Sequence, residues 1–226
     1  MEFMKLVSKS TISQNDKNSS SGSNQKVDAS WLRLIFIALK KEKLPAETIF
    51  TESGINTELL KEQELTSQGK ILKLYQVIEK YDALSQLPIF VTDVFQSHFI
   101  RHTGNILFEA KTIEDLIKKI VYVVSKVTPL ICADTSEDSR FTKLNLSSTV
   151  STYSLHPISL ITCTCLVVKA INQIFPYSSK AIVNVILSKE SKKITVLDDF
   201  FNCPIIYSTN LSLIHISEPT RLGMIS

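Results

Sequence analysis

The chain has 226 residues, 25 basic against 22 acidic, a net charge of +3 with histidine neutral, and 44% hydrophobic content. The apolar share is ample for a packed core, and the charge balance lacks the strongly basic footprint of a nucleic-acid-binding domain. No apolar run reaches the ~18 residues that would mark a membrane span, and four cysteines, Cys132, Cys163, Cys165 and Cys203, suit a reduced cytoplasmic protein better than a disulfide scaffold.

Residues 1–27 differ from the rest. Between Ser10 and Lys26 the only large apolar residue is Ile12. Such a segment cannot bury enough surface to offset its ordering entropy and is read as disordered. It also lacks the continuous apolar stretch of a secretory signal. Asp28 or Ser30 is placed to cap a first helix running to about Lys41, with Trp31, Leu34, Ile35, Ala38 and Leu39 on one face. Pro45 opens a short second helix through Phe50, and Gly54 ends it. Asn56 caps a turn around Leu59 and Leu60. Ser67–Tyr81 reads as an amphipathic helix with Ile71, Leu74, Tyr75 and Ile78 inward. Pro88 begins another, with Phe90, Val91, Val94 and Phe95 as its face. Thr112 caps a helix carrying Glu114 and Asp115 in its first turn, where the dipole favours acids, and a stripe of Ile113, Leu116, Ile117, Ile120, Val124 and Val127.

The pattern then changes. Leu130–Asp134 and Phe141–Leu146 flank a polar turn, Thr135–Arg140, and predict a β-hairpin. Pro157–Phe175 predicts a strongly apolar helix closed by Pro176. Ala181–Leu187 predicts a buried strand, Val196–Phe201 a short helix and Pro204–Tyr207 a further strand. The expected class is α+β: an N-terminal helical half, then a small mixed sheet packed by the apolar helix.

Residues 211–226 do not read as a natural terminus. Leu211-Ser212-Leu213-Ile214-His215-Ile216-Ser217-Glu218-Pro219-Thr220-Arg221 matches a read-through translation of a transposon adapter used in DNA library preparation. Leu222-Gly223-Met224 falls at the barcode, and Ile225-Ser226 at the constant bases beyond it. The expectation is a non-native tail on a domain spanning 28–210, with the natural gene running on past Asn210. A strand is still expected at Leu211–Ile216, because the segment is apolar and β-branched. Setting aside Lys5, Lys9, Lys17, Lys26 and Arg221 against Glu2, Asp16 and Glu218 leaves 20 basic and 19 acidic residues in 28–210, a net +1.

Three stretches carry a family resemblance. They are Leu44-Pro45-Ala46-Glu47-Thr48-Ile49-Phe50-Thr51-Glu52-Ser53-Gly54-Ile55, then Gly104 followed by Thr112-Ile113-Glu114-Asp115-Leu116, and Asp198-Asp199-Phe200-Phe201-Asn202-Cys203-Pro204-Ile205-Ile206-Tyr207. Together they make residues 28–210 resemble the N-terminal, arabinose-binding-like effector and dimerisation domain of AraC/XylS-type bacterial transcription regulators. The chain departs from that pattern at Arg101, Lys111 and Asn202, where the family often has glycine, proline and glycine. The resemblance implies a small-molecule effector, a homodimer, and DNA contact only through a C-terminal helix-turn-helix region absent from this sequence. It implies neither enzyme activity, cofactor, metal nor membrane. The alternative is a stand-alone module that binds a small molecule or a partner, without DNA function.

No catalytic, cofactor or metal residues are assigned, and the ligand-binding residues stay open. His98 and His102 stand four apart, a spacing able to place two imidazoles on one helix face. No acid lies between them and no third ligand is near, so they read as a solvated or capping pair. His156 reads as a turn residue. Cys163 and Cys165, two apart on a helix, point to different faces and read as buried structural thiols. Cys203 is expected to pack beneath Phe200 and Phe201. The lysines of Lys41–Lys43 and Lys189–Lys193 read as solvated surface, and His215 belongs to the tail. No phosphate loop or nucleophile elbow is present.

Overall fold

The computed structural model describes residues 26–27, 29–60, 66–98, 104–127, 130–138, 141–149, 155–176, 182–188, 194–208 and 212–217. Lys26–Val27, the end of the segment expected to be unstructured, form β1 and pair antiparallel with β2, Thr66–Ser67. The rest of that segment, and the expected cap Asp28, lie outside the described residues. So do His102, Lys189–Lys193 and the side chain of His98 at the end of its helix.

The helical half contains α1 (Ala29–Lys41), α2 (Ala46–Glu52), a single 3₁₀ turn (Thr57–Leu60), α3 (Gln68–Lys80), α4 (Leu87–His98), α5 (Gly104–Phe108) and α6 (Ile113–Val127). Ser30 lies inside α1 and does not cap it. Gly54 ends α2 with a φ of 73°, and the chain closes behind it as the Ile55 amide bonds back to the Phe50 carbonyl at 2.9 Å. Asn56 Oδ1 accepts from the Glu58 amide at 3.0 Å, as its turn position demands. Arg33 of α1 donates from both Nε and Nη2 to the Leu60 carbonyl and staples the turn to the first helix. Thr112 Oγ1 accepts from the Asp115 amide at 3.1 Å, while Asp115 Oδ2 accepts from Lys111 at 3.2 Å. This reciprocal cap starts α6.

The second half contains β3 (Ile131–Asp138), β4 (Phe141–Ser148), α7 (Pro157–Ile174), β5 (Ile182–Ser188), α8 (Val196–Phe201), β6 (Ile205–Ser208) and β7 (Ser212–Ser217). The hairpin is longer than expected. Asp138 pairs with Phe141, so the polar run Thr135–Asp138 continues the strand and only two residues separate β3 from β4. Polarity there marks an edge strand, exposed at Thr135 and Ser136, not a turn.

Five strands form one mixed sheet in the order β3-β4-β7-β5-β6, parallel only between β5 and β6. The last strand in sequence is thus central. Leu144, Ile214 and Val185 stand in one row across β4, β7 and β5, and each is 0% exposed. That row faces α7, which packs on all three strands and, on its other side, on α4.

α7 has 18 residues and a mean hydropathy of 1.5. By length and composition it is long and apolar enough to cross a membrane, which exceeds the run anticipated from sequence. Thr162 and Thr164, polar residues within the run, return their hydroxyls to the carbonyls of Ile158 and Leu160 at 2.7 and 2.8 Å. Within the fold, every residue from Ile161 to Val168 is buried. A stretch apolar all round is satisfied by an interior position, and Ile161–Val168 is enclosed by protein on successive faces, while the polar Lys169, Asn172 and Gln173 gather at the end of the helix.

Ile214 sits at the centre of the buried row, so Ile214→Ala should lower stability by about 2–5 kcal/mol. The measurement is the urea midpoint of the full chain, with an unchanged denaturant slope. A loss below ~0.5 kcal/mol would show that β7 does not hold that slot.

Candidate ligand-binding cleft

α3 ends with Tyr81, and the chain turns through Asp82 at a φ of 54°. Left-handed backbone favours glycine or asparagine, so an aspartate there is a costlier choice. Asp82 and Glu79 also place two carboxylates at the negative end of the helix dipole, where acids are disfavoured by about 0.3–1 kcal/mol each. Among the described residues neither pairs with a lysine or arginine; the ion pairs present are Lys40–Glu47, Lys118–Glu114 and Lys119–Asp115.

Opposite them lies the start of α7. His156 caps it: Nδ1 accepts from the Ile158 amide at 3.2 Å, and Pro157 occupies the first helical position. A neutral imidazole accepting at Nδ1 carries its proton on Nε2. The two helix ends, with Leu84, Ser85 and Ile194, enclose an open cleft of about 470 Å³. Its floor is Ile158, Ile161 and Ile194, all buried, and Glu79 and Asp82 form its exposed rim. The volume falls within the roughly 300–1,000 Å³ of small-molecule sites.

Behind the cleft is a buried polar hub. Tyr75 of α3 accepts from Trp31 Nε1 of α1 at 3.1 Å and shares a 2.9 Å hydrogen bond with Ser159 of α7. Its ring lies 5.3 Å from the His156 ring. Burial pushes the Tyr75 phenol up, against the smaller opposing effect of its two hydrogen bonds. A second cavity of about 50 Å³ lies among α1, α4, α6 and α7, lined by Trp31, Phe95, Leu107, Ile120 and Cys163 with other apolar side chains. It offers no polar partner for water and is too small for a metabolite.

Of the residues singled out from sequence, only His156 joins the cleft. It is more than a turn residue, since it supplies the α7 cap. Cys163 and Cys165 are buried, and burial pushes Cys163 up to about 12 and Cys165 well above its ordinary value. Cys203 is half-buried against the core edge, with its thiol also pushed up by burial. Lys41 Nζ reaches the Asp93 carbonyl at 3.5 Å, and Lys40 pairs with Glu47. No group of three or more histidine, cysteine or acidic residues suited to a metal occurs among the described residues. Glu79, Asp82 and Ile194 were not anticipated. The signal available was an aspartate at the position just past a helix, where glycine or asparagine is expected.

No family model and no curated protein matches the chain. Among solved structures it is similar to the crystal structure of the transcriptional regulator CdpR from Pseudomonas aeruginosa, at 13% identity and a TM-score of 0.44. The likeness covers 89% of this chain and 57% of that one, so the chain spans little more than half of that structure's length. At that score it assigns no activity.

Two measurements check the buried groups. Tyr75→Phe leaves the Trp31 N–H and the Ser159 hydroxyl without their common partner and should cost about 1–3 kcal/mol in the urea midpoint; an unchanged midpoint would remove the hub. The second is alkaline stability. Folded Cys163 holds its proton to about 12, whereas an unfolded thiol releases it near ~8.5. The folded state therefore binds more protons above that point. Stability should be level below about pH 8.5 and fall as pH rises toward 12, less steeply in Cys163→Ala.

Proposed function

We propose that residues 28–210 are the effector-sensing and dimerisation domain of an AraC/XylS-type bacterial transcription regulator, acting in the cytoplasm and without enzyme activity. The observation that supports this most is the placing of the three resembling segments. Each falls where local geometry demands its residue types. Gly54 closes the first in left-handed backbone. Thr112 caps the helix of the second. In the third, Phe201 is buried at the end of α8 and Asn202 adopts a φ of 49°. The family often has glycine at that last position, and asparagine is the side chain that best tolerates the same conformation.

On this reading, residues 211–226 are adapter-derived, and the helix-turn-helix region belongs to the natural continuation after Asn210. β7 would then stand in for a natural strand. Its slot asks only for alternating apolar residues, which Ile214 and Ile216 supply by accident. Effector binding would act on DNA affinity only by favouring one of two arrangements over the other. The runner-up, a stand-alone binding module, draws on the same cleft and needs no further domain.

Amplification across the Asn210 junction from source DNA separates the two. The regulator reading expects an uninterrupted frame of on the order of 100 further residues, basic and helical, with two helix-turn-helix units. The 226-residue chain itself should show no sequence-specific DNA binding. A stop codon soon after Asn210, or a continuation without such units, would overturn the regulator and leave the module.

A further inference from the structure

The chemistry of the cleft is asymmetric. One wall is the C-terminal end of α3, where the carbonyl dipole, Glu79 and Asp82 all present negative charge, and no described lysine or arginine neutralises either carboxylate. The other wall is the N-terminal end of α7, which would ordinarily attract an anion. Here that end is closed. Pro157 has no N–H, the Ile158 amide is taken by His156 Nδ1, and the Ser159 amide bonds to the His156 carbonyl at 2.9 Å. Between the walls the floor is aliphatic: Ile158, Ile161 and Ile194.

We propose that the cleft binds a cationic amphiphile. An aliphatic ammonium sits between Glu79 and Asp82, and its hydrocarbon body lies along Ile158, Ile161 and Ile194. The unusual backbone of Asp82 fits this role, because the left-handed turn brings a carboxylate to the cleft rim where glycine would bring none. Specificity comes from charge at one end and area at the other: an alcohol of equal length keeps only the second, and a carboxylate meets repulsion. The inference deepens the effector-sensing reading by giving the effector a chemical class, and rests on that reading only for its regulatory meaning.

The chain carries its own reporter. Trp31, its single tryptophan, bonds to Tyr75, whose ring touches His156 at the cleft. The full 226-residue protein is titrated with hexylamine, hexanol and hexanoate at neutral pH, where the amine is protonated, and binding is read by Trp31 emission and calorimetry. Hexylammonium should bind saturably, about tenfold or more tighter than hexanol. Hexanoate should bind more weakly than hexanol. The double variant Glu79→Gln/Asp82→Asn should lose that tenfold preference and keep its affinity for hexanol. Asparagine tolerates the left-handed turn and both substitutions remove a carboxylate from the negative end of the helix dipole, so the variant's thermal midpoint should equal or exceed the parent's. Absence of saturable amine binding, hexanoate binding as tight as the amine, or an unaltered preference in the folded variant would each overturn the assignment. If the variant misfolds, Asp82→Asn alone and Glu79→Gln alone carry the test, each expected to weaken the amine and not the alcohol. The outcome is separable from that of the regulator reading. A helix-turn-helix continuation beside a cleft that ignores amines leaves the regulator and removes this ligand class. Amine binding beside a stop codon after Asn210 does the reverse.

Discussion

The structure depends on one helix that is apolar and buried through its middle and is exposed only near its end, at Asn172. α7 is buried along successive residues from Ile161 to Val168, so the domain must supply apolar partners around it. The sheet supplies one side through Leu144, Ile214 and Val185, and α4 supplies another. Each fully buried aliphatic side chain contributes roughly 1.5–3 kcal/mol, and α7 collects many of them. Neither half of the fold is therefore independent of it. The helical half without α7 would expose the face of α4 that packs on it, and the sheet without α7 would be apolar on one side.

The buried hydroxyls of this interior find partners, whereas Gln173 Nε2 and Asn184 Oδ1 are buried without one. Thr92, Thr162 and Thr164 return their hydroxyls to carbonyls one turn earlier, and Ser53 does the same to Ile49. Tyr75 differs, because its partners come from two other helices. Apolar contacts would let α1, α3 and α7 slide with little penalty. A buried phenol bonded at fixed distances to an indole and a serine defines one arrangement, since other registers leave polar atoms unpaired. The same tyrosine touches the residue that caps α7. The cleft and the core are thus joined through two side chains, Tyr75 and His156, with no loop between them.

Much of the architecture is legible in the sequence. Periodicity places α1, α3, α4 and α6 because each buries one stripe, and the cap Thr112 and the terminator Gly54 act locally, whereas the α7 cap by His156 and the left-handed stop at Asn202 emerge only in the fold. The hairpin turn is expected too early because composition cannot distinguish a turn from the polar residues of an edge strand such as Thr135–Asp138. α5 carries too few residues for a period to show. Sheet order was not legible, because the pairing of residues 142 and 216 is set by what α7 needs beneath it and not by any local signal. The cleft was less legible still. Its acidic rim and apolar floor come from segments widely separated in the chain, and of its residues only His156 attracted notice.

The central place of β7 bears on how the chain comes to be folded. β3 and β4 can zip as soon as both have emerged, and β5 and β6 can form across the short α8 crossover. The two pairs have no hydrogen bonds to each other; each bonds only to β7. During synthesis the sheet therefore exists as two separate fragments, each with an open edge, until a strand fills the slot that β7 occupies. That interval is a window for pairing with other chains. A strand that arrives last and closes the middle makes completion of the sheet a single late event, with no partially joined sheet available before it.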